Sequence, residues 1–198
     1  LNIRHRPTWR VIEGGSRNYV ARMVERFRNR IRLSTPIEQV RRSANDAIIV
    51  PANGTPESFD HVVFACHSDQ ALRLLTDPTA TEHDILSEFP YGRNIAVLHT
   101  DPSVLPKRRR AWASWNYHLS GPADSKDAQH AATVTYQMNL LQHLQSKHVF
   151  NVTLNSDERI DPARVLRRFE YHHPIFTVRR AVAQFRHHEL INVNRTSF

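Results

Sequence analysis

The chain is poor in cysteine, in glycine and in long apolar runs, and each shortage excludes something. Its one cysteine, Cys66, rules out an internal disulfide framework and suits a reducing compartment. No run approaches the roughly 18 apolar residues that a membrane-crossing helix needs. The basic start "LNIRHRPTWR" lacks the apolar core of a signal peptide, so a cytoplasmic location is expected. Five glycines supply neither G-x-G-x-x-G nor G-x-x-x-x-G-K-[ST], so a complete phosphate-binding turn is missing. G-x-S-x-G, the nucleophile elbow, is also absent. Thirteen histidines do not amount to a metal site. No H-E-x-x-H occurs, and adjacent pairs such as His172–His173 point their side chains apart. Cys66, His67, Ser68 and Asp69 contain the letters of a catalytic relay, yet a relay needs side chains converging from separate segments.

What is present is an ordinary globular composition. With 198 residues, 40% hydrophobic and 23% charged, the chain is long enough for one core, or for one domain and part of another. The formal charge of +8 raises the question of nucleic acid. The basic residues are scattered, from "RFRNRIR" at 26–32 to "KRRR" at 107–110, and no aromatic-basic recognition motif accompanies them. Solvated faces are the expected reading and nucleic acid is not an expected partner. The alternative is a non-catalytic basic binding module for nucleic acid or anionic lipid.

The periodicity changes along the chain. "TWRVI" (8–12) reads as a short strand, followed by Gly14, Gly15 and Ser16, with Ser16 a candidate helix cap. Tyr19, Val20, Met23, Val24 and Phe27 then share one face of an amphipathic helix. "IRLSTPIEQVRR" and "DAIIVPA" read as strands, with "NGT" (53–55) a turn. "HVVFAC" (61–66) is apolar without alternation, which predicts a strand of a parallel sheet buried on both faces. "HSDQALRLL" follows as a helix with Ser68 or Asp69 at its cap. "TEHDILSEF" (81–89) predicts a short helix. Strand-like runs "NIAVLHT", "RAWASWNYHL", "ATVTYQMNL", "HVFNVTLN" and "RRFEYHHPIF" come next, rich in Val, Thr, Trp and Tyr. The fold class expected is α+β: a mixed, mainly antiparallel sheet with flanking helices, plus a helix and a β-meander.

The order of segments carries more than any one of them. "RPTWRVIEGGSRNYVARMVERF", "IRLSTPIEQVRR", "FDHVVFACHSDQALRLLTDPTATEHDILSEFPYGRNIAVLHTD" and "LPKRRRAWASWNY" together resemble the central portion of predicted NAD/FAD-binding proteins of the flavin-containing amine oxidase superfamily. "VTYQMNLLQHL", "FNVTLN", "YHHPIF" and "INVNRTSF" continue the likeness. The resemblance implies that residues 1–75 are the middle piece of an FAD-binding domain and 76–190 part of a substrate-binding domain. It makes 191–198 a strand leading toward a C-terminal FAD motif, with both outer FAD segments outside this chain.

The same resemblance implies the site. Gly14, Gly15 and Ser16 would lie against the cofactor, and the Ile37 backbone and side chain would meet the adenine. Ala65 and Cys66 would end a strand that leads to FAD. Trp115, Asn116, Tyr117, Tyr136 and Met138 would project toward the flavin as a pocket for a small-molecule substrate, lipid-like or an amine. The resemblance places no lysine or aromatic pair of the authentic amine oxidases, and so names no catalytic residue. The activity implied is hydride transfer from an organic substrate to flavin, with this chain by itself inactive. A flavin-dependent desaturase or isomerase acting on a lipid-like substrate is the alternative within the class.

Overall fold

In the computed structural model the described residues are 8, 10–119 and 132–198. They form two compact units, Leu1–Asn29 with Arg93–Tyr171, and Arg30–Gly92 with His172–Phe198. Trp9 of the expected first strand lies outside the described residues, and its neighbours Thr8 and 10–12 form no strand.

In the first unit, helix α1 (Arg17–Met23) follows a turn in which the Gly15 N–H donates to the Ile12 carbonyl at 3.0 Å. Gly14 and Gly15 have φ of 75° and 86°, the left-handed region that side chains avoid. Ser16 stands at the cap position but with helical dihedrals and no side-chain hydrogen bond, so it does not cap. Asn18 Nδ2 instead donates to the Glu13 carbonyl at 2.9 Å.

The same unit holds most of a five-stranded sheet: β5 (Tyr91–His99), β6 (Trp115–Leu119), β7 (Ala132–Gln137), β8 (Asn151–Leu154) and β9 (Val165–Pro174). Its order is β6-β7-β8-β5-β9, and the β6–β7, β7–β8 and β8–β5 pairings are antiparallel. The β-branched and aromatic content of these runs suits a pleated, half-buried surface. Val97 packs with Val104, Leu105 and Ile160 as the apolar core. Beside it, one face of the sheet buries polar side chains that satisfy one another. His99 Nδ1 accepts from the Asp101 N–H at 3.1 Å, which leaves Nε2 to donate to Thr153 Oγ1 at 2.8 Å. Thr153 Oγ1 also lies 2.8 Å from Thr135 Oγ1. Burial pushes the His99 pKa down, so the ring is neutral in this ladder.

The second unit contains a three-stranded antiparallel meander, β1 (Ile37–Arg42), β2 (Ala47–Pro51) and β3 (Glu57–Phe59). Ser43 and Asp46 close the first turn through backbone and side-chain hydrogen bonds. A short strand, β4 (Val62–Val63), pairs in parallel with β10 (Thr196–Ser197). Helices α2 (Ser68–Leu74), α3 (Ala80–Leu86) and α5 (Val178–Phe185) complete this unit. One core gathers Val40, Ala47, Val62, Phe64, Ala71 and Leu75, and another gathers Ile85, Leu86, Ala183 and Leu190. Residues Met138–Leu141 form the short helix α4 of the first unit.

The parallel pairing expected for 61–66 is present, but burial on both faces is not. Val62 and Phe64 are buried, Val63 is 68% exposed, and Ala65 and Cys66 are exposed. The reason is strand alternation: Val62 and Phe64 turn to the face packed against Ala71 and Leu75, while Val63 turns to the other face, which no described residue buries. The cap of α2 also differs from expectation. His67 occupies the cap, its N–H donating to Gln70 Oε1 at 3.3 Å, and Ser68 begins the helix.

Candidate functional site

In the second unit, β4 runs into α2 beside the meander, and the space between them is a cavity of about 560 Å³. Ile37, Val40, Ile49 and Leu74 give it apolar walls, Ala65 and Cys66 stand at the end of the strand, and Gln70 and Arg73 supply polar groups from α2. The geometry follows from local sequence. The β1–β2 ladder shifts between Ile37 and Gln39, an irregularity of the kind that re-aims side chains at a sheet edge. Ile37 is thereby half-buried and lines both this cavity and a smaller one of about 350 Å³ on its other side. Arg73 is tied to Asp69 one turn earlier at 2.7 Å, so its charge is already partnered.

At the end of the strand, Cys66 carries an exposed thiol. Its surroundings still desolvate the sulfur enough to push its pKa above the ordinary value, with Asp69 adding to the shift, so it is a neutral thiol at pH 7. The next residue stacks its ring on Tyr91, with His67 and Tyr91 centroids 4.1 Å apart, and the Ser68 N–H donates to the Tyr91 hydroxyl at 3.1 Å. These contacts hold the first turn of α2 in place.

Three of the expected cofactor residues, Ile37, Ala65 and Cys66, are thus brought to one cavity. Gly14, Gly15 and Ser16 belong to the first unit, where the glycine pair makes a left-handed turn into α1. The wall residues Val40, Ile49, Val62 and Leu74 were not singled out from sequence. Their signal was the ordinary apolar pattern of "IEQV", "AIIV", "HVVFAC" and "ALRLL", which marks a core and a cavity wall alike.

The expected substrate residues divide. Trp115 and Tyr117 lie on one face of β6, 48% and 69% exposed. Tyr136 is the register partner of Trp115, and the two rings meet edge to face at 5.6 Å. Asn116 does not join them. Strand alternation turns it to the buried face, where Oδ1 accepts from the Ala113 N–H at 3.1 Å and Nδ2 donates to the Ala113 and Thr135 carbonyls. Met138 is half-buried and opens α4, where its N–H donates to the Phe150 carbonyl at 2.8 Å.

Among the described residues no three His, Cys, Asp or Glu side chains gather as a metal-binding group, and no helix is long and apolar enough to cross a membrane. The described residues thus offer a mainly apolar cleft in the second unit and an aromatic face of β6 and β7 in the first.

Comparison with known proteins accords with this geometry. No curated protein matches the chain in sequence. Among solved structures, putrescine oxidase with putrescine bound superposes with a TM-score of 0.60 at 11% identity, over 94% of this chain and 47% of that one. Cyclohexylamine oxidase from Brevibacterium oxydans gives 0.52 at 10% identity, over 93% and 46%. A fatty acid isomerase from P. acnes gives 0.51 at 10% identity, over 82% and 41%. At such identities the likeness is one of fold, and this chain spans less than half the length of each of these structures. The family model described as flavin containing amine oxidoreductase matches residues 1–134, and the chain belongs to that family.

Proposed function

We propose that this chain is a portion of an FAD-dependent oxidoreductase and that its second unit binds the adenine end of the cofactor. The observation that carries this reading is the cavity shared by Ile37, Ala65 and Cys66, with mainly apolar walls and two small residues just beyond the end of β4. A volume near 560 Å³ is within the range of small-molecule sites. An aliphatic wall packs against a planar ring without competing for its hydrogen bonds. The lining fits the ring end of a dinucleotide and not its pyrophosphate. Among the described residues, Arg73 is the cation on the wall, paired with Asp69, and no glycine lines the cavity. FAD held by the whole family fold would supply hydride acceptance, while the residues here bind, orient and exclude water.

On the same reading, the division at 1–75, 76–190 and 191–198 reflects cofactor and substrate pieces of chain, and the setting is cytoplasmic. Gly14, Gly15 and Ser16 remain proposed cofactor contacts in the first unit. The exposed face of β6 and β7 is the proposed wall of a substrate pocket. Trp115, Tyr117 and Tyr136 present aromatic surface, which suits an apolar chain or, through ring faces, an organic ammonium. Asn116 is omitted from that wall because its amide is already committed to Ala113. Met138 is kept at its margin.

Cys66 makes the test direct, because it is the only cysteine. Its alkylation at mildly alkaline pH is followed with FAD, ADP or riboflavin present in excess. FAD and ADP are expected to slow the reaction, and riboflavin is not. Equal protection by riboflavin would reverse the orientation of the dinucleotide. An alkylation rate indifferent to FAD, with FAD binding seen by fluorescence, would remove the cavity from the site. With no phosphate cradle in the lining, the chain purified alone is expected to show no stoichiometric flavin absorbance.

A further inference from the structure

One motif remains without a role in the proposed function: "KRRR" at 107–110. Lys107, Arg108, Arg109 and Arg110 are all exposed, in and beside a single turn of 3-10 helix, and none forms an ion pair with another described residue. Arg32, Arg42, Arg73, Arg93, Arg164, Arg168, Arg179 and Arg186 are paired with carboxylates, whereas this run, the one stretch of four consecutive basic residues in the sequence, has no such partner among the described residues.

Two clefts flank the turn and differ in charge: Lys107 and Trp112 line one with Asp101, Asp161 and Arg164, while the other holds Lys147 and, among the described residues, no carboxylate. Arg109 lies over the Trp112 ring, 5.1 Å from its centroid, and the Trp112 Nε1–H donates to the Pro106 carbonyl at 2.8 Å. The turn is therefore held to its loop. Arg109 and Trp112 line a shallow cleft of about 320 Å³ together with Leu140, Leu144, Lys147 and His148, and no carboxylate lines it. Leu140 and Leu144, four residues apart at α4, are 46% and 40% exposed.

We propose that this face of the first unit docks on the surface of an anionic phospholipid membrane. Charge complementarity names the occupant: four exposed cations on a tethered turn, with no ion pair to any described residue and joined by Lys147, present a positive patch. The two exposed leucines decide between polyanions. Interfacial binding combines basic residues with apolar side chains that enter the headgroup region. Single-stranded nucleic acid asks for free aromatic faces on which bases stack, and here Arg109 covers the Trp112 ring. The surface potential of an anionic leaflet contributes about 1 kcal/mol for each nearby Lys or Arg.

The test is co-sedimentation of the full chain with vesicles of phosphatidylcholine alone or of phosphatidylcholine with phosphatidylglycerol. Binding only to the anionic vesicles is expected, weakening as salt is raised. Arg108→Gln with Arg110→Gln removes two charges and leaves the Arg109–Trp112 contact intact. It is expected to weaken partitioning by roughly 25-fold, about fivefold for each charge. Leu140→Ser with Leu144→Ser is expected to weaken binding without changing its salt dependence. Circular dichroism of each variant checks that the fold is kept. Indifference of the vesicles to lipid charge, or wild-type binding by the arginine pair variant, would overturn the proposal. So would an oligonucleotide that binds the patch as tightly as the vesicles do and is unaffected by the leucine changes, because it would reassign the patch to nucleic acid.

Discussion

Arg42 shows how one side chain can organise a unit. Its guanidinium is 1% exposed, as is the carboxylate of Glu82. Arg42 donates to both oxygens of Glu82 at 2.5 and 2.9 Å, to Asp77 at 3.2 Å and to Thr196 Oγ1 at 2.9 Å. It thus ties the meander, the approach to α3 and the end of the chain to one group. Burial alone would raise the Glu82 pKa, but the hydrogen bonds from Arg42 and Thr79 outweigh it and hold the carboxyl below its ordinary 4.5. A depressed pKa means that its contribution is complete above pH 4.5 and is lost as pH falls from there through the folded value. Glu82→Gln leaves a buried guanidinium short of its counter-charge and is expected to cost about 3–5 kcal/mol. Denaturant melts at neutral and acid pH check both points, since the variant should lose stability at pH 7 and show a flatter acid limb.

The glycine pair separates two effects at the same scale. A Cβ on Gly14 would lie 2.4 Å from Asn18 Nδ2, whereas one on Gly15 meets nothing within 4 Å. Both positions carry the left-handed penalty of about 1–2 kcal/mol for a side chain. Gly14→Ala must in addition displace Asn18 from the Glu13 carbonyl. Amide exchange across α1 is therefore expected to quicken in both variants, more in Gly14→Ala. Equal exchange in the two would show that the Asn18 contact contributes nothing.

At the scale of elements, the shortest strands hold the most. The β4–β10 ladder is two residues a side, extended by the Phe64 N–H donating to the Ser197 carbonyl at 2.8 Å. Next in line, Phe198 stacks on Phe64 with centroids 4.9 Å apart and touches both apolar cores of the unit. Its carbonyl lies 2.7 Å from His187 Nε2. A half-buried ring so placed is expected to contribute about 2 kcal/mol, below the range of a fully buried phenylalanine. Phe198→Ala should lower the melting midpoint and open the cavity at Cys66, read as faster alkylation. Unchanged alkylation with a lowered midpoint would confine the effect to the cores.

On the scale of the whole molecule, much apolar surface is left uncovered. Met23 on α1 is 64% exposed, Leu119 on β6 is 75% exposed, and Val178 and Phe185 on α5 are 84% and 85% exposed. Solvated proteins seldom leave such faces bare. The chain on its own is expected to bind a hydrophobic dye strongly while retaining native amide protection, and to associate as concentration rises. Dye binding no greater than that of an ordinary native protein would show that these faces are covered in solution. The pattern fits a chain that spans less than half of each solved structure to which it is similar.

Much of this was legible before any coordinates. The 3.6-residue spacing behind Gly15, the β-branched runs after residue 90 and the order of segments sufficed for most element types, the α+β class and the family, because local periodicity and propensity depend on neighbours in the chain. The strand expected at 8–12 did not form among its described residues, and the helix at Met138–Leu141 escaped that pattern. What a residue faces depends on groups far away in sequence, and that was decided only in three dimensions. Strand alternation sent Asn116 away from Trp115 and Tyr117, and packing of α2 against only one face of β4 left Val63 in solvent. Folding also chose Glu82, among nineteen acidic residues, as the partner that Arg42 buries.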